Sequence, residues 1–288
     1  MQEARQQMDN SKEVRKQIRT LEEIPTLPGY FSKLMATLDD PDSGARDLAA
    51  IISEDASLTS KILKLANSAF YGRFKKVGTA DQAVMTVGFR EIRTVVMSIS
   101  LFGAFANKIA NETLENFWIH AVLTATGVQQ LGDRKQETNV DKLYFGGLLH
   151  DIGKLVFCLL YGDQYLALVS KAEKESLVLV DAEKAAFGIH HGMVGGWLAE
   201  RWHFPGELHE VITLHHSPKK SGVLRPKSIA TVFLADHMAH GRDHVDLTDP
   251  LVAFSCQQLG VTEADIDRVC VALEKERERV AETFSLVG

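Results

Sequence analysis

The segment Phe145–Lys154 has the sequence FGGLLHDIGK, in which apolar residues and glycines surround one histidine and one aspartate. The adjacent pair His150 and Asp151 is unfavourable to bury, because a buried charge is costly unless it is paired or bound to a metal. Imidazole and carboxylate ligands together suit Mg, Mn, Fe or Zn. The pair therefore predicts an anchor for a divalent metal ion within a helical stretch, provided that other residues complete the site.

The composition is that of a soluble globular protein, with 288 residues of which 45% are hydrophobic and 24% are charged. The net charge of -6 disfavours a broad nucleic-acid surface, because phosphate binding needs clustered Lys and Arg. The widely separated Cys158, Cys256 and Cys270 lie among apolar residues, which indicates buried thiols in a reducing cytosol. The stretch 1–20 is polar, and the apolar run Val95–Ala106 is too short to span a bilayer. We expect a cytoplasmic protein with no membrane partner.

Apolar residues recur at helical spacing along nearly the whole chain. Asp55 and Thr79 each stand at a position typical of a helix N-cap. The composition changes at Asn107–Glu115, and all eleven histidines lie at or after His120. The fold class is therefore predicted to be all-α, with two helical lobes. The predicted division is a polar N-terminal extension (residues 1–20), a first lobe (residues 21–110) and a second lobe with the C-terminal helix (residues 111–288).

Further polar side chains occupy apolar faces of predicted helices, where an isolated charge is unusual. Asp236 and His215 each continue an apolar i, i+3, i+4, i+7 stripe, and His120 lies within another largely apolar helix. His191 is followed by glycines that permit close approach of two backbones. Because metal sites in helical bundles are commonly built from facing helices, we expect these side chains to converge on the pair at 150–151.

Other notable residues receive ordinary structural interpretations. A lone histidine on an apolar face is more often a hydrogen-bonded core residue than a ligand. We therefore expect six histidines to be either hydrogen-bonded in the core or simply exposed: His190, His203, His209, His237, His240 and His244. Cys158 is expected in the core, and the charge run Glu274–Arg279 is expected to form a solvated helix face.

The order of the candidate ligands resembles the H…HD…D pattern of the HD superfamily of metal-dependent phosphohydrolases. The resemblance implies that four residues bind a divalent ion: His120, His150, Asp151 and Asp236. Three more resemble the additional ligands of the HD-GYP branch, which holds two or more ions and opens cyclic di-GMP: His191, His215 and His216. The segment HHSP at residues 215–218 lacks the acidic residue and the Asp-Gly-x-Gly-Tyr-Pro loop that follow in HD-GYP domains, which argues against cyclic di-GMP hydrolysis.

The chain from about Leu21 to Ala239 resembles the HDOD domain, a bacterial output module that is related to the HD hydrolases and often lacks demonstrated catalysis. The segments that carry the resemblance are Leu27-Pro28, Ile51–Thr59, Asn67–Gly72 (NSAFYG), Ala83–Gly88 and Glu200–Pro205. The resemblance implies a signalling or regulatory protein built on a hydrolase scaffold. Within it, Asn67 is expected to cap or staple the loop before Tyr71 and Gly72.

Three functions follow as alternatives. The first is a regulatory output domain that binds one or two divalent ions (Fe, Mn, Mg, Zn or Ni), with a nucleotide or cyclic nucleotide as ligand and a signalling protein as partner. The second is an active phosphohydrolase, in which Asp151 and Lys154 are catalytic and Lys154 stabilises phosphate charge, although Lys154 can instead cap its helix. DNA binding through the helix pair Thr79–Ser98, with Arg90 and Arg93, is the least favoured, because the second helix is apolar.

Overall fold

The computed structural model describes residues 14–16, 24–40, 42–72, 76–135, 140–220 and 226–288, and these ranges contain helices and turns without a β-strand. The all-α prediction is confirmed. The helices of eight or more residues in these ranges are α1 (Phe31–Asp39), α2 (Ala45–Ser53), α3 (Ala56–Ala66), α4 (Ala80–Val87), α5 (Phe89–Gly103), α6 (Asn111–Lys135), α7 (Val140–Leu149), α8 (Ile152–Tyr161), α9 (Asp163–Lys174), α10 (Leu179–Phe187), α11 (His191–Arg201), α12 (Gly206–Leu214), α13 (Pro226–His240), α14 (Pro250–Leu259) and α15 (Glu263–Val287).

The chain divides into two compact units. The first, called here the histidine unit, comprises residues 120–276 with the described residues up to Pro25, and the second unit comprises residues 26–119 and 277–288. Two of the boundaries lie inside α6 and α15, and the third lies between Pro25 and Thr26. The expected change of lobe was at residues 110 and 111. Most of the predicted extension 1–20 lies outside the described residues. The three predicted domain ranges stay a prediction.

Capping residues determine where the helices of the second unit begin. Asp55 Oδ1 accepts a hydrogen bond from the Leu58 N–H at 2.7 Å at the start of α3, and Thr79 Oγ1 accepts one from the Gln82 N–H at 3.2 Å at the start of α4. Helix α4 ends at Gly88, whose φ of +106° favours glycine and lets α5 begin in a new direction. Both N-caps predicted from the sequence are confirmed.

The Asn67 side chain closes a loop in the second unit. Its Nδ2 donates to the Leu63 carbonyl at 2.7 Å and to the Val77 carbonyl at 2.8 Å, while its Oδ1 accepts from the Val77 N–H at 2.9 Å. One amide therefore satisfies both backbone groups of Val77 and ties that residue to the end of α3. The expectation that Asn67 caps or staples is confirmed, but the residue that it holds, Val77, follows Tyr71 and Gly72, whereas the predicted loop preceded them.

In the histidine unit, α7 ends at Leu149 and α8 begins at Ile152, so His150 and Asp151 occupy the junction between two helices rather than the interior of one. The junction has a local cause. His150 Nδ1 bonds the Gly147 carbonyl at 2.6 Å, and this is the acceptor that the Asp151 N–H would take in a continuous helix. The His150 side chain thus competes with the Asp151 N–H for the Gly147 carbonyl, and the helix is interrupted at the candidate metal anchor.

Glycines bring the helices around this junction unusually close. A Cβ atom at Gly153 of α8 would lie 2.0 Å from the His191 carbonyl oxygen at the start of α11, and one at Gly146 of α7 would lie 2.9 Å from Val211 of α12. Only glycine fits at Gly153 without moving a backbone. This close packing sets His191 directly beside the His150–Asp151 junction.

One segment among the described residues, Val140–Tyr161, is long and apolar enough to span a membrane by length and composition alone. It comprises α7, the junction and α8, and most of it is buried inside the protein. Its position therefore matches that of a core element of the histidine unit.

Candidate metal centre

All the predicted ligands lie together in the histidine unit. They come from α6, the α7–α8 junction, the start of α11, the residues after α12, and α13: His120, His150, Asp151, His191, His215, His216 and Asp236. The histidines at positions 150, 191 and 215 have no exposed surface, and the two aspartates are 6% exposed. Burying this many ionisable groups in one place is costly unless they compensate one another or bind a cation.

The first cluster consists of His120, His150, Asp236 and the Oδ2 atom of Asp151. His120 Nε2 lies 3.0 Å from Asp236 Oδ1 and 3.3 Å from His150 Nε2. Asp151 Oδ2 lies 3.3 Å from His150 Nε2 and 3.5 Å from His120 Nε2. Ligands that bind one ion at about 2.0–2.2 Å stand roughly 3.0–3.6 Å from each other. The spacing of the first cluster therefore suits a single divalent ion.

The second cluster consists of His191, His215, His216 and the other carboxylate oxygen of Asp151. Asp151 Oδ1 lies 3.2 Å from His191 Nε2 and 3.6 Å from His215 Nε2. His191 Nε2 lies 3.2 Å from His215 Nε2 and 2.7 Å from His216 Nε2. The Asp151 carboxylate thus faces both clusters, one oxygen to each. Asp151 could therefore contribute a ligand atom to an ion at either cluster.

Backbone and carboxylate acceptors orient the imidazoles. His150 Nδ1 bonds the Gly147 carbonyl at 2.6 Å, His215 Nδ1 bonds the Ile212 carbonyl at 2.8 Å, and His191 Nδ1 bonds Glu183 Oε2 at 2.7 Å. An acceptor at Nδ1 holds the proton there, which leaves the Nε2 lone pair directed into the cluster. Two such lone pairs that face each other at 3.2 Å repel unless a proton or a metal ion lies between them.

Two buried carboxylate oxygens also indicate that a metal ion fits this site. Asp151 Oδ1 and Asp236 Oδ1 are buried, and neither meets a donor of the described residues in hydrogen-bond geometry. A buried polar atom without a hydrogen bond usually costs about 1–3 kcal/mol. A divalent cation would bind both oxygens, and imidazole and carboxylate donors are the ligands that Mn, Fe and Zn accept. The residues present therefore fit one or two divalent ions.

The protonation states of the metal-free cluster also suit metal binding. Burial alone lowers the pKa of His150, but the carboxylates of Asp151 and Asp236 outweigh it and raise this pKa to about 10. Burial alone raises the pKa of Asp151, but the charges of His150 and Lys154 hold it well below its usual range. Burial lowers the pKa of His215 to about 4. Burial alone raises the pKa of Asp236, but the two imidazoles of the first cluster hold it well below its usual range. Both aspartates are thus ionised at neutral pH, and a metal ion would replace the proton that His150 carries.

Lys154 lies beside the Asp151 carboxylate. Its Nζ donates a short hydrogen bond to Asp151 Oδ2, and its side chain is 13% exposed. Burial alone lowers the pKa of Lys154, but the charges of Asp151 and Asp236 raise it, so the ammonium stays charged. Of the two roles predicted for Lys154, the contact places its charge at the centre rather than at a helix C-terminus.

Glu183 is a residue of the centre that is absent from the ligands and catalytic residues predicted from the sequence. It is fully buried in α10, and its carboxylate accepts hydrogen bonds from the Tyr165 hydroxyl at 2.7 Å and from the His191 N–H at 2.8 Å. A signal was present, because Val180, Glu183 and Phe187 share one face at helical spacing and all three are buried.

His240 lies closer to the centre than its ordinary interpretation implied. Its ring packs against that of His120 at 4.3 Å between centroids, and its Nε2 lies 3.6 Å from Asp236 Oδ1. The side chain is 49% exposed, so the expectation of exposure is correct. Its spacing of four residues from Asp236 on α13 is the signal that could have connected it to the site.

The fold and the site together define an all-α protein with a buried histidine–carboxylate centre that can hold divalent metal ions. The HDOD domain matches residues 24–218, which is more than half of the chain, and the chain belongs to the HDOD family. The family predicted from the sequence motifs is confirmed.

Known proteins similar to this chain include one sequence relative and two solved structures. An uncharacterized protein of Treponema pallidum (strain Nichols) is 27% identical over 203 residues, which cover 68% of this chain but 38% of that protein. A candidate phosphohydrolase of Shewanella amazonensis SB2B is 24% identical, with 96% of this chain and 98% of that chain covered and a TM-score of 0.71. A candidate signal transduction protein of Marinobacter aquaeolei VT8 is 18% identical, with 99% and 66% covered and a TM-score of 0.77. At these identities the two structures show a shared fold.

Proposed function

We propose that this protein is a regulatory domain in bacterial signalling that binds divalent metal ions at the first and second clusters. The observation that carries the proposal is a pair of buried oxygens that accept no hydrogen bond from the described residues: Asp151 Oδ1 lies 3.2 Å from His191 Nε2, and Asp236 Oδ1 lies 3.0 Å from His120 Nε2. An ion that binds these atoms would contribute directly to the stability of the histidine unit, since the ligands come from separate helices.

Membership of the HDOD family supports the regulatory part of the proposal, as does the fold shared with the Marinobacter signal transduction candidate. The expected ligand is a nucleotide or a cyclic nucleotide that meets the centre through its phosphate. The expected partner is a signalling protein, and the expected compartment is the cytoplasm. In this function the ligand residues, which come from separate helices, would hold the ions, and the ions would stabilise the arrangement of those helices.

A second candidate function is hydrolysis of a phosphate ester, and the position of Lys154 favours it. Divalent ions, when held by the two clusters, would supply activation of water and neutralisation of phosphate charge. Asp151 and Asp236 would hold the ions, and the ammonium of Lys154 would stabilise the negative charge that develops on the phosphate. The Shewanella phosphohydrolase candidate has the same fold.

DNA binding through α4 and α5 has less support. The face that α5 would need for base contacts is largely buried, and Arg93 itself is 6% exposed and packs with its guanidinium over the Phe89 ring. A helix that reads a DNA groove must expose its basic side chains. We therefore do not assign this function to the helix pair Thr79–Ser98.

Metal analysis of the purified full chain tests the proposal. We expect up to two equivalents of a transition metal by mass spectrometry, and we expect Asp151→Asn to weaken binding on the order of 100-fold or more, because it removes the charge shared by both clusters. Asp163→Asn, an exposed aspartate of the same unit, is the matched control and should keep the metal. Wild-type protein without measurable affinity for Mn²⁺, Fe²⁺, Zn²⁺ or Ni²⁺ would contradict the proposal.

Assays of the loaded protein separate the two functions. Bis(p-nitrophenyl) phosphate and cyclic dinucleotides serve as substrates, and thermal stabilisation by the same nucleotides reports binding. Stabilisation without turnover supports the regulatory domain. Turnover that Lys154→Met abolishes while the metal content persists supports the hydrolase instead.

A further inference from the structure

Glu183 is buried next to the metal centre but is a ligand of neither cluster. Its side chain is fully buried, and three donors converge on one carboxylate: the Tyr165 hydroxyl at 2.7 Å on Oε1, and the N–H and Nδ1 of His191 at 2.8 and 2.7 Å on Oε2. His191 is the first residue of α11, so its N–H is one of the helix-terminal donors that lack a partner within the helix. The carboxylate thus fixes both the helix start and the imidazole.

The acceptor at Nδ1 differs between histidines of the second cluster. His215 bonds the neutral Ile212 carbonyl, whereas His191 bonds the Glu183 carboxylate. A carboxylate behind a metal-binding imidazole makes it a stronger electron donor and fixes its orientation. His191 Nε2 lies within 3.2 Å of Asp151 Oδ1, His215 Nε2 and His216 Nε2, so an effect on His191 acts on the whole cluster.

The charges of the two clusters are unequal. The first cluster includes carboxylate oxygens of two aspartates. The second cluster consists of three histidines and a single carboxylate oxygen, Oδ1 of Asp151, whose other oxygen faces the first cluster. A divalent ion in a dry site requires nearby negative charge. Glu183, one imidazole behind the second cluster, supplies that charge.

On the basis of the metal centre proposed above, we propose that Glu183 is the positioning residue that decides whether the second cluster holds an ion, and so whether the centre binds one ion or two. The residue does not touch an ion in this scheme. It acts through His191, whose ring it holds toward Asp151 and whose donor strength it raises.

Glu183→Gln tests the proposal, because glutamine keeps the shape and an oxygen acceptor for His191 but removes the charge. We titrate wild-type and variant full-length chains with Mn²⁺ and Zn²⁺, measuring stoichiometry and the two affinities. The expected result is an unchanged first affinity and a second affinity weakened about 10- to 100-fold. Electron paramagnetic resonance should show the spin-coupled Mn²⁺ pair in the wild type and an isolated Mn²⁺ in Glu183→Gln at the same metal concentration, a change that a purely structural role would not produce.

Glu173→Gln, an exposed glutamate on α9, is the matched control and should bind as the wild type does. Two ions with unchanged affinities in Glu183→Gln, or equal weakening of both, overturn the proposal. A wild type that binds no ion overturns the proposed metal centre itself, and the two failures are thereby distinguished.

Tyr165→Phe provides a second variant, which also decides the matter if Glu183→Gln does not fold. It keeps the charge but removes one of the three donors that hold the carboxylate. We expect two ions, with the second affinity weakened less than about 10-fold and the first unchanged. No change in the second affinity, or equal weakening of both, contradicts the positioning role of Glu183.

Discussion

Each unit of the molecule contains a group of charged and polar side chains, and the two groups differ in how their polar atoms are satisfied. In the second unit, Arg279 Nη1 donates to Glu91 Oε1 and to the Tyr71 hydroxyl, which itself lies 3.1 Å from Glu91 Oε1. These atoms satisfy one another within the chain. In the histidine unit, the oxygens Asp151 Oδ1 and Asp236 Oδ1 are buried beside imidazoles without a hydrogen bond from the described residues.

The difference distinguishes a polar network that stabilises the fold from a polar site that requires a bound ligand. The first kind costs little to maintain, because every partner is present once the chain has folded. The second kind is unfavourable until something binds, so evolution retains it at sites of function rather than of stability. Removal of metal should therefore affect one unit alone.

The largest expected effect is that of metal removal. A ligand present at 100 times its dissociation constant stabilises the folded state by about 2.7 kcal/mol, and two ions add to this. We expect a chelator to speed hydrogen exchange in residues 143–158 and 191–216 of the metal-loaded protein, with recovery when Mn²⁺ is restored. The segment 58–66 of the second unit should keep its exchange rates, and equal changes in both segments would remove the distinction drawn between the units.

The second largest expected effect is the loss of stability when the Asn67 side chain, which ties Val77 to the end of α3, is removed. Asn67→Ala removes three hydrogen bonds, each worth about 0.5–1.5 kcal/mol, so we expect the free energy of unfolding to fall by about 2 kcal/mol. Metal stoichiometry should stay at the wild-type value, because the staple is a closed network. Denaturant titration and metal analysis check the two parts, with exposed Asn107→Ala as a control that should change stability by less than about 0.5 kcal/mol. Loss of metal in Asn67→Ala would show that the staple also serves the centre.

The sequence predicted the helices from apolar periodicity, whereas the full set of seven ligands was implied by the resemblance to the HD superfamily and its HD-GYP branch, with support from polar residues on apolar faces. Apolar spacing marks a helix face, and a charged residue such as Asp236 on that face signals a buried partner. The seven predicted ligands accordingly lie together, while their ligation of metal stays a prediction.

The rest of the centre depends on tertiary geometry that periodicity does not encode. The division of the Asp151 oxygens between two clusters follows from the α7–α8 junction, where His150 takes the Gly147 carbonyl. Glu183 joins the site through its hydrogen bonds to His191, and Gly153 lets α8 approach the backbone of that same residue at the start of α11. A contact between residues that are distant in sequence is poorly predicted by the apolar periodicity of either segment.

The smallest expected effect concerns the ion pair of the second unit. The Arg279 and Glu91 side chains are 21% and 30% exposed, and a pair so close to solvent contributes about 0.5–1 kcal/mol. Glu91→Gln should therefore lower the melting temperature by about 1–3 °C without changing metal binding, and the difference from wild type should shrink in 1 M NaCl, where charges are screened. Glu54→Gln, which breaks the more exposed pair with Lys33, is the matched control and should change stability less. A large loss of stability in Glu91→Gln that salt does not reduce would mean that the Arg279, Glu91 and Tyr71 side chains do not form a closed network near the surface, and it would remove the contrast drawn with the metal centre.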